Sequence, residues 1–300
     1  MPYPIAVSSY SLRQCLGPIR VLMRGPDGQP SAFVWDQPQT MTLLEFPRAV
    51  RERLGLDAVE ICQFHIPERT PDYIAALKQA LRDADMQLLN MPIDVGNISD
   101  ANPAYRAEDL AAIEGWMQVA AELGSRMVRV NASAALAAAP LAPLEVTIDS
   151  FRRLARTARS LGLDLLVENH GGITADPEVI VALVEGVGQG ELKVLVDIGN
   201  FEPLMSVQMA LMQGKEVPNV DVTPLYDKVA RIAPYAHLVH AKTHEFDDAG
   251  RPLRLDVVRA LRVVRDAGFT GPVSLEYEGN QGDPWENTRR TLNLVEQAFA

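Results

Sequence analysis

The sequence predicts an α/β fold, a single-domain (β/α)8 TIM barrel that spans residues 1–300. Short apolar segments alternate with amphipathic segments of helical period, which is typical of a parallel sheet covered by helices. The alternation is strict and gives eight segments of each kind. Eight strand and helix pairs are the number that closes such a barrel.

The strands and helices follow one another along the whole chain. The predicted strands are 5–7, 58–61, 87–90, 127–130, 163–167, 192–196, 237–241 and 272–275. The predicted helices are 43–54, 71–85, 105–123, 147–161, 176–186, 222–233, 254–266 and 286–299. Gly55, Gly124, Gly162 and Gly268 each come just before a strand and are expected to end the preceding helix, because glycine adopts the left-handed conformation of a C-cap easily.

The connections between these elements are unequal in length. Three that leave strands are long, at 11–42, 131–146 and 201–221, whereas those that lead into strands are short. In barrels of this kind, the loops that follow the strands build the active face. A functional site is therefore expected at the carboxyl ends of the strands.

Composition and charge limit the function classes. The chain has 28 Lys and Arg against 39 Asp and Glu, a formal net charge of −11, which disfavours nucleic acids and anionic membranes as partners. Only two cysteines occur, Cys15 and Cys62, and neither a signal peptide nor an apolar span of membrane length is visible. We therefore expect a cytoplasmic protein with no membrane partner.

Side chains that bind metals follow four consecutive strands. Glu168, Asp197, His240 and Glu276 stand at the exits of the last four predicted strands. Strand ends in a barrel converge, and three carboxylates brought together would repel one another unless a divalent cation neutralised them. Oxygen and nitrogen ligands without cysteine favour Mn²⁺, Mg²⁺ or Co²⁺. Glu278 is the rival to Glu276 for the last position.

The segments around these four residues carry a family resemblance. VENHGG, DIGNF, HLVHAK and VSLEYEG, together with PYPIAVSSYSL, GLDAVEI and GSRMVRV, resemble the xylose-isomerase-like superfamily of sugar isomerases and epimerases. The resemblance implies that Glu168, Asp197, His240 and Glu276 bind one metal ion, with Mn²⁺ expected first and Mg²⁺, Co²⁺ or Zn²⁺ as alternatives. In epimerase members, the two glutamates also exchange protons with the sugar carbon.

Four polar residues closely follow the predicted ligands. His170 and Lys242 are candidate catalytic residues, and Asn200 and His244 are candidates to bind the substrate. Asn200 stands where many epimerases of the superfamily have a histidine. Period-two alternation would aim His170, Lys242 and His244 into the same cavity as the ligands.

Residues in the first half of the chain and in the long loops add further candidates. Glu60 and His65, near the end of the second strand, are expected to hold substrate hydroxyls, with a structural pair between Glu60 and Arg129 as the alternative. Trp35 and Phe201 are expected to cover a sugar face or to anchor their loops. Trp116 lies in a predicted helix and is expected to pack in the core.

The leading interpretation is a metal-dependent isomerase or epimerase that acts on a sugar or polyol through a metal-bound enediolate with carboxylate bases. A metal-dependent lyase on a keto sugar, such as an inosose-type dehydratase or a C-glycoside-cleaving enzyme, is the alternative. A non-catalytic sugar-binding barrel is a minor one. A nuclease on the same barrel is disfavoured by the net charge and by the presence of only five histidines. The sequence leaves open whether the protein forms a homo-oligomer.

Overall fold

The computed structural model describes residues 3–24, 28–133, 140–212, 215, 217 and 220–300. Eight parallel strands close into a barrel, and two further strands form a separate antiparallel hairpin. The barrel strands are β1 Ile5–Ser8, β4 Ala58–Glu60, β5 Gln87–Ile93, β6 Met127–Val130, β7 Asp164–Glu168, β8 Lys193–Asp197, β9 Ala236–Thr243 and β10 Val273–Tyr277. The hairpin strands are β2 Ile19–Arg24 and β3 Pro30–Trp35. The predicted fold class is confirmed.

Helices surround the barrel and return the chain from each strand to the next. They are α1 Phe46–Leu54, α2 Pro71–Asp83, α3 Pro103–Leu123, α4 Leu144–Leu161, α5 Pro177–Val187, α6 Leu204–Met212, α7 Thr223–Ile232, α8 Val257–Asp266 and α9 Pro284–Phe299. Gly124 and Gly162 cap α3 and α4 with φ of 81° and 72°, a left-handed conformation that side chains with a Cβ rarely adopt. None of the described helices has the length and apolar character needed to cross a bilayer.

The barrel closes through β1, which pairs with β10 on one side and with β4 on the other. Its interior holds a cluster of buried side chains, one from each of seven strands: Ala6, Ala58, Leu89, Met127, Leu166, Leu195 and Leu238. A larger apolar cluster fills the space between the strands and the helices. The barrel is thus a packed core rather than a pore.

The residues two positions beyond this apolar layer determine the character of the barrel mouth. Side chains in a strand alternate between its faces, so residues two apart share a face. Glu60, Arg129, Glu168, Asp197 and His240 each follow a member of the interior cluster by two positions, and all five are buried. An apolar layer therefore supports a layer of charged groups at the carboxyl ends of the strands.

The long connections contain more structure than the sequence predicts. The connection 11–42 carries the β2–β3 hairpin, and α6 lies within 201–221. Part of the connection 131–146, residues 134–139, falls outside the described residues. The site described next is built mainly from the strand ends.

Candidate metal centre

The structure brings the four predicted metal ligands together at the mouth of the barrel. Glu168 ends β7, Asp197 ends β8, and His240 and Glu276 lie on β9 and β10. The Nδ1 atom of His240 lies 3.7 Å from Glu168 Oε1, 3.6 Å from Asp197 Oδ2 and 3.3 Å from Glu276 Oε2. All four side chains are buried. One cation between these atoms would contact residues from four neighbouring strands.

The donor atoms fit a divalent metal. Two groups, Glu168 with Asp197 and His240, and Glu60 with His240 and Glu276, have ligand-type atoms within 4.8 Å of one another. Glu168 Oε2, Asp197 Oδ2, His240 Nδ1 and Glu276 Oε2 are buried and lack a hydrogen bond of good geometry. Such atoms are unfavourable in an apolar interior. A divalent cation would satisfy them, and oxygen and nitrogen donors suit Mn²⁺, Mg²⁺ or Co²⁺.

Backbone and amide groups hold the carboxylates in place. The side chain of Asn169 donates to the carbonyl oxygen of Asp197 and accepts from its backbone N–H, each at 2.8 Å. The backbone N–H of Gly199 donates to Asp197 Oδ1 at 2.7 Å. Asn200 Nδ2 donates to Glu168 Oε1 at 3.0 Å. In both carboxylates, the second oxygen lacks a hydrogen bond of good geometry and lies near a cation: Glu168 Oε2 is 2.8 Å from Arg129 Nε, and Asp197 Oδ2 is 3.0 Å from Lys242 Nζ.

Lys242 lies among the carboxylates of this cluster. Its Nζ atom is 3.0 Å from Asp197 Oδ2, 3.1 Å from Glu276 Oε2 and 3.3 Å from Glu278 Oε1, and it donates to Asn200 Oδ1 at 2.9 Å. Burial alone would lower the pKa of Lys242, but these carboxylates outweigh it and raise the pKa well above its ordinary value. The lysine is therefore charged at neutral pH and partly neutralises the cluster.

The two predicted catalytic glutamates have different electrostatic surroundings. Burial raises the pKa of Glu168, although the nearby charge of Arg129 opposes this. Burial would also raise the pKa of Glu276, but the charges of Lys242 and His240 prevail and hold it well below its ordinary value. Without a bound cation, Glu168 is therefore the stronger base of the two.

Glu60 contacts His240, a predicted metal ligand, and does not pair with Arg129. His240 Nε2 lies 3.0 Å from Glu60 Oε1 and 3.1 Å from Oε2, and Asn90 Nδ2 donates to Oε2 at 2.7 Å. The structural pair between Glu60 and Arg129 is therefore wrong, because the guanidinium of Arg129 pairs with other carboxylates. Burial would lower the pKa of His240, but the charges of Glu60 and then Glu276 raise it well above its ordinary value.

Arg129 connects the candidate metal centre to Asp94 and Asn131, two residues that were not predicted from the sequence. It donates to Asp94, and its Nε lies 2.8 Å from Glu168 Oε2. Asn131 Nδ2 donates to Asp94 Oδ1 at 2.9 Å. Burial alone would raise the pKa of Asp94, but Arg129 lowers it. Asp94 and Asn131 directly follow β5 and β6, so the strand-exit signal that identified the ligands would also have found them.

The remaining predicted residues differ in their position. Asn200 links Glu168 to Lys242, as described above. His244 Nε2 lies 3.2 Å from Glu278 Oε2, which places this histidine at the outer side of the cluster. The Nδ1 atom of His170 is buried and lacks a hydrogen bond. Both the substrate-binding role of His244 and the catalytic role of His170 stay predictions.

His65 has its own hydrogen-bond partner. Its Nδ1 lies 2.8 Å from Ser9 Oγ, and the same hydroxyl accepts from the backbone N–H of Cys62 at 2.9 Å. The direction of the hydrogen bond between Ser9 and His65 depends on the tautomer of the ring, and the Nε2 atom of His65 is buried without a hydrogen-bond partner. Burial, and secondly the charge of Arg13, lower the pKa of His65 to about 3. Within the described residues, the hydrogen bond of its ring is to Ser9 rather than to a predicted ligand.

The three aromatic predictions have different outcomes. Phe201 is 0% exposed and belongs to the core, which favours the alternative that it anchors its loop over the one that it covers a sugar face. Trp35 is partly exposed, and the guanidinium of Arg13 lies 5.5 Å from the centre of its ring. Trp116 packs in the core, as predicted.

Similar folds occur among solved structures. A xylose isomerase-like TIM barrel protein from Mycobacterium smegmatis in complex with magnesium is 20% identical with a TM-score of 0.64, covering 99% of this chain and 98% of that one. An L-ribulose 3-epimerase is 15% identical with a TM-score of 0.68, covering 98% and 95%. A D-psicose 3-epimerase in the presence of D-fructose is 20% identical with a TM-score of 0.62, covering 86% and 93%.

At these identities, the likeness to solved structures concerns the fold. Comparison of the sequence with curated proteins gives no match. A sequence model of the xylose isomerase-like TIM barrel, in contrast, matches residues 48–297, which is most of the chain. The matched region runs from α1 into α9 and includes all four predicted metal ligands. The chain therefore belongs to the xylose isomerase-like TIM barrel family.

Proposed function

We propose that this protein is a sugar or polyol isomerase or epimerase that depends on one divalent metal ion held by Glu168, Asp197, His240 and Glu276. The observation that carries the proposal is the set of four buried ligand-type side chains from consecutive strands, each with an atom that lacks a hydrogen bond. Among the similar folds, two are sugar 3-epimerases and one was solved with magnesium, which supports the proposal. Mn²⁺ is the expected ion, with Mg²⁺, Co²⁺ and Zn²⁺ as alternatives.

The two glutamates are placed to move protons. When bound, a divalent ion polarises the carbonyl and the adjacent hydroxyl of a keto sugar and makes the neighbouring C–H acidic. Glu168 and Glu276 lie on β7 and β10, with β8 and β9 between them in the barrel. Carboxylates on two sides of the site can address opposite faces of a planar deprotonated sugar, which is the arrangement that an epimerase needs. Without a bound cation, Glu168 has the higher pKa of the two.

The charges at the barrel mouth favour an uncharged substrate. The described mouth contains six carboxylates: Glu60, Asp94, Glu168, Asp197, Glu276 and Glu278. Arg129 and Lys242 are the cations that contact them there, and both already form ion pairs. Even a bound divalent ion would leave no excess of positive charge for a phosphate group. A neutral sugar or polyol suits this site better than a phosphorylated one.

A lyase is the second candidate, and one contact favours it. An elimination needs one base to take the proton and one acid to protonate the leaving group. The ammonium of Lys242 lies 3.1 Å from Glu276 Oε2, so an N–H donor for the leaving group lies beside one of the proposed bases. His170 and His244 are further candidates for the same role. The net reaction would then be loss of water or of an aglycone from a keto sugar.

The test is incubation with a panel of keto sugars in deuterated water, with Mn²⁺ or with EDTA, followed by mass spectrometry of product and recovered substrate. Metal-dependent deuterium at the stereocentre of an epimerised product is expected, whereas a product that lacks water or an aglycone would identify the lyase. E168Q and E276Q should lower the exchange rate by roughly 100-fold or more. The control E114Q changes a carboxylate on α3 that pairs with Arg153 and should leave exchange unchanged. Turnover in EDTA without deuterium at carbon would contradict the proposal.

A further inference from the structure

Glu60 and His240 form a contact across the interior of the barrel. Both side chains are 0% exposed, and His240 Nε2 lies 3.0 Å and 3.1 Å from the two oxygens of Glu60. Their strands, β4 and β9, are not neighbours, since β1 and β10 lie between them in the barrel. The contact therefore depends on the two side chains themselves rather than on strand pairing.

Glu60 is itself held by the adjacent strand. Asn90 on β5 is its register partner and donates from Nδ2 to Glu60 Oε2 at 2.7 Å. One amide and one imidazole thus face a carboxylate that has no access to solvent. Within the described residues, the ion-pair partner of Glu60 is His240. A buried carboxylate in this position is fixed well enough to orient the ring that it contacts.

The two nitrogens of His240 face different groups. Nε2 faces Glu60, while Nδ1 faces the carboxylates of Glu168, Asp197 and Glu276. A neutral imidazole carries one proton and binds a metal through its other nitrogen. A carboxylate accepts a hydrogen bond but donates none when ionised, so it selects the tautomer with the proton on Nε2. The lone pair on Nδ1 then points to the proposed ligands.

We propose that Glu60 is a positioning residue that fixes the Nε2–H tautomer and the orientation of His240, so that Nδ1 is available to the metal. This inference rests on the metal site of the proposed function. Glu60 is not assigned as a ligand of that same ion, because the two ring nitrogens point away from each other and one ion cannot contact both. Nor is Glu60 assigned to hold substrate hydroxyls, because its oxygens are fully buried between His240 and Asn90.

The experiment compares E60Q, N90A and the control E114Q with the wild-type protein. Mn²⁺ binding is measured by calorimetry, and the His240 tautomer by ¹H–¹⁵N correlation in ¹⁵N-histidine protein loaded with Mg²⁺, or with Zn²⁺ if Mg²⁺ binds too weakly. The E60Q substitution keeps the shape of the side chain but removes the charge that selects the tautomer. E60Q should weaken Mn²⁺ affinity by roughly 10–100-fold while one site per chain remains. E60Q should also reduce the Nε2–H signal of His240. N90A should change both the affinity and this signal in the same direction but by less, and E114Q should change neither.

Three outcomes would overturn the positioning role. E60Q could bind Mn²⁺ with wild-type affinity and keep the wild-type tautomer. E60Q could lose the site altogether while His240 keeps its tautomer, which would make Glu60 a ligand. If circular dichroism shows that E60Q does not fold, N90A decides instead. A wild-type tautomer and wild-type Mn²⁺ affinity in N90A would then overturn the positioning role. Failure of the wild-type protein to bind any divalent ion would instead overturn the proposed function, whereas the three outcomes above are judged against a wild-type protein that binds the ion.

Discussion

Replacing Lys242 with methionine should destabilise the metal-free protein and make its stability strongly dependent on metal. The ammonium of Lys242 lies within 3.3 Å of carboxylate oxygens from Asp197, Glu276 and Glu278. Methionine has a similar length but no charge, so the three carboxylates would face one another without a cation. A bound divalent ion would restore the neutralisation.

The size of the effect follows from burial. Removal of one partner from a buried ion pair typically costs about 3–5 kcal/mol. Lys242 and Asp197 are fully buried, but the side chain of Glu278 is 22% exposed and can be solvated. We therefore expect the lower end of this range, about 3 kcal/mol. For a chain of 300 residues, this corresponds to a decrease of about 5 °C in Tm.

Thermal unfolding of K242M and of the wild-type protein, each in EDTA and with saturating Mn²⁺, tests this expectation. The increase in Tm on adding Mn²⁺ should be larger for K242M than for the wild type. K193M is the matched control, because Lys193 pairs with Asp164 at 2.7 Å but the two side chains are 24% and 45% exposed. Such pairs contribute about 0–1 kcal/mol. Equal Tm values for K242M and wild type in EDTA, or equal increases with Mn²⁺, would refute the reasoning.

Two further predictions concern stability. The pKa of His65 is about 3 in the folded protein, against 6.5 ordinarily. Between these values the unfolded chain binds a proton at His65 that the folded protein does not, so the contribution of His65 to the free energy of unfolding is complete above pH 6.5 and is lost as the pH falls towards 3. At pH 5 the loss is about 2 kcal/mol. The free energy of unfolding by urea should therefore decrease less between pH 7 and pH 5 in H65Q than in the wild type. An equal decrease in the two proteins would contradict the prediction. L166A should lower the free energy of unfolding by about 3–5 kcal/mol, because Leu166 is fully buried in the barrel interior. The same change at Leu22, which is 47% exposed, should have little effect, and similar losses at both positions would contradict this.

The sequence predicts the barrel and the cluster of the candidate metal centre because both depend on local patterns. Buried parallel strands are short, nearly continuous apolar segments, and some of them end at the polar residue that follows the apolar segment. Glu168 and Asp197 show this most clearly, since each ends its strand in the structure. The period of two then places such residues on the inner face, so that four strand exits meet in one cluster. Most strand ends differ from the predicted ones by at most two residues, and the end of β5 differs by three.

The hairpin and the contacts across the barrel were not predicted, for different physical reasons. The β2–β3 hairpin exposes Leu22, Phe33 and Val34, so it lacks the buried face whose pattern marks a strand. The Glu60–His240 contact joins residues 180 positions apart on strands that do not pair. Such a contact follows only from the geometry of the closed barrel. The burial of Phe201 likewise depends on how the chain turns after β8, which its local sequence does not reveal.

The position of the charges within the barrel argues for a functional origin of the site. At the lower level, Leu166, Leu195 and Leu238 fill the interior with apolar atoms. Two residues further along the same strands, Glu168 and Asp197 place charges at an equally buried level. Apolar side chains of similar volume in place of buried ion pairs are often neutral or stabilising. Packing therefore does not explain why these strands change from leucine to carboxylate at the mouth. A cation that the carboxylates bind, and a reaction that uses them as bases, would explain it.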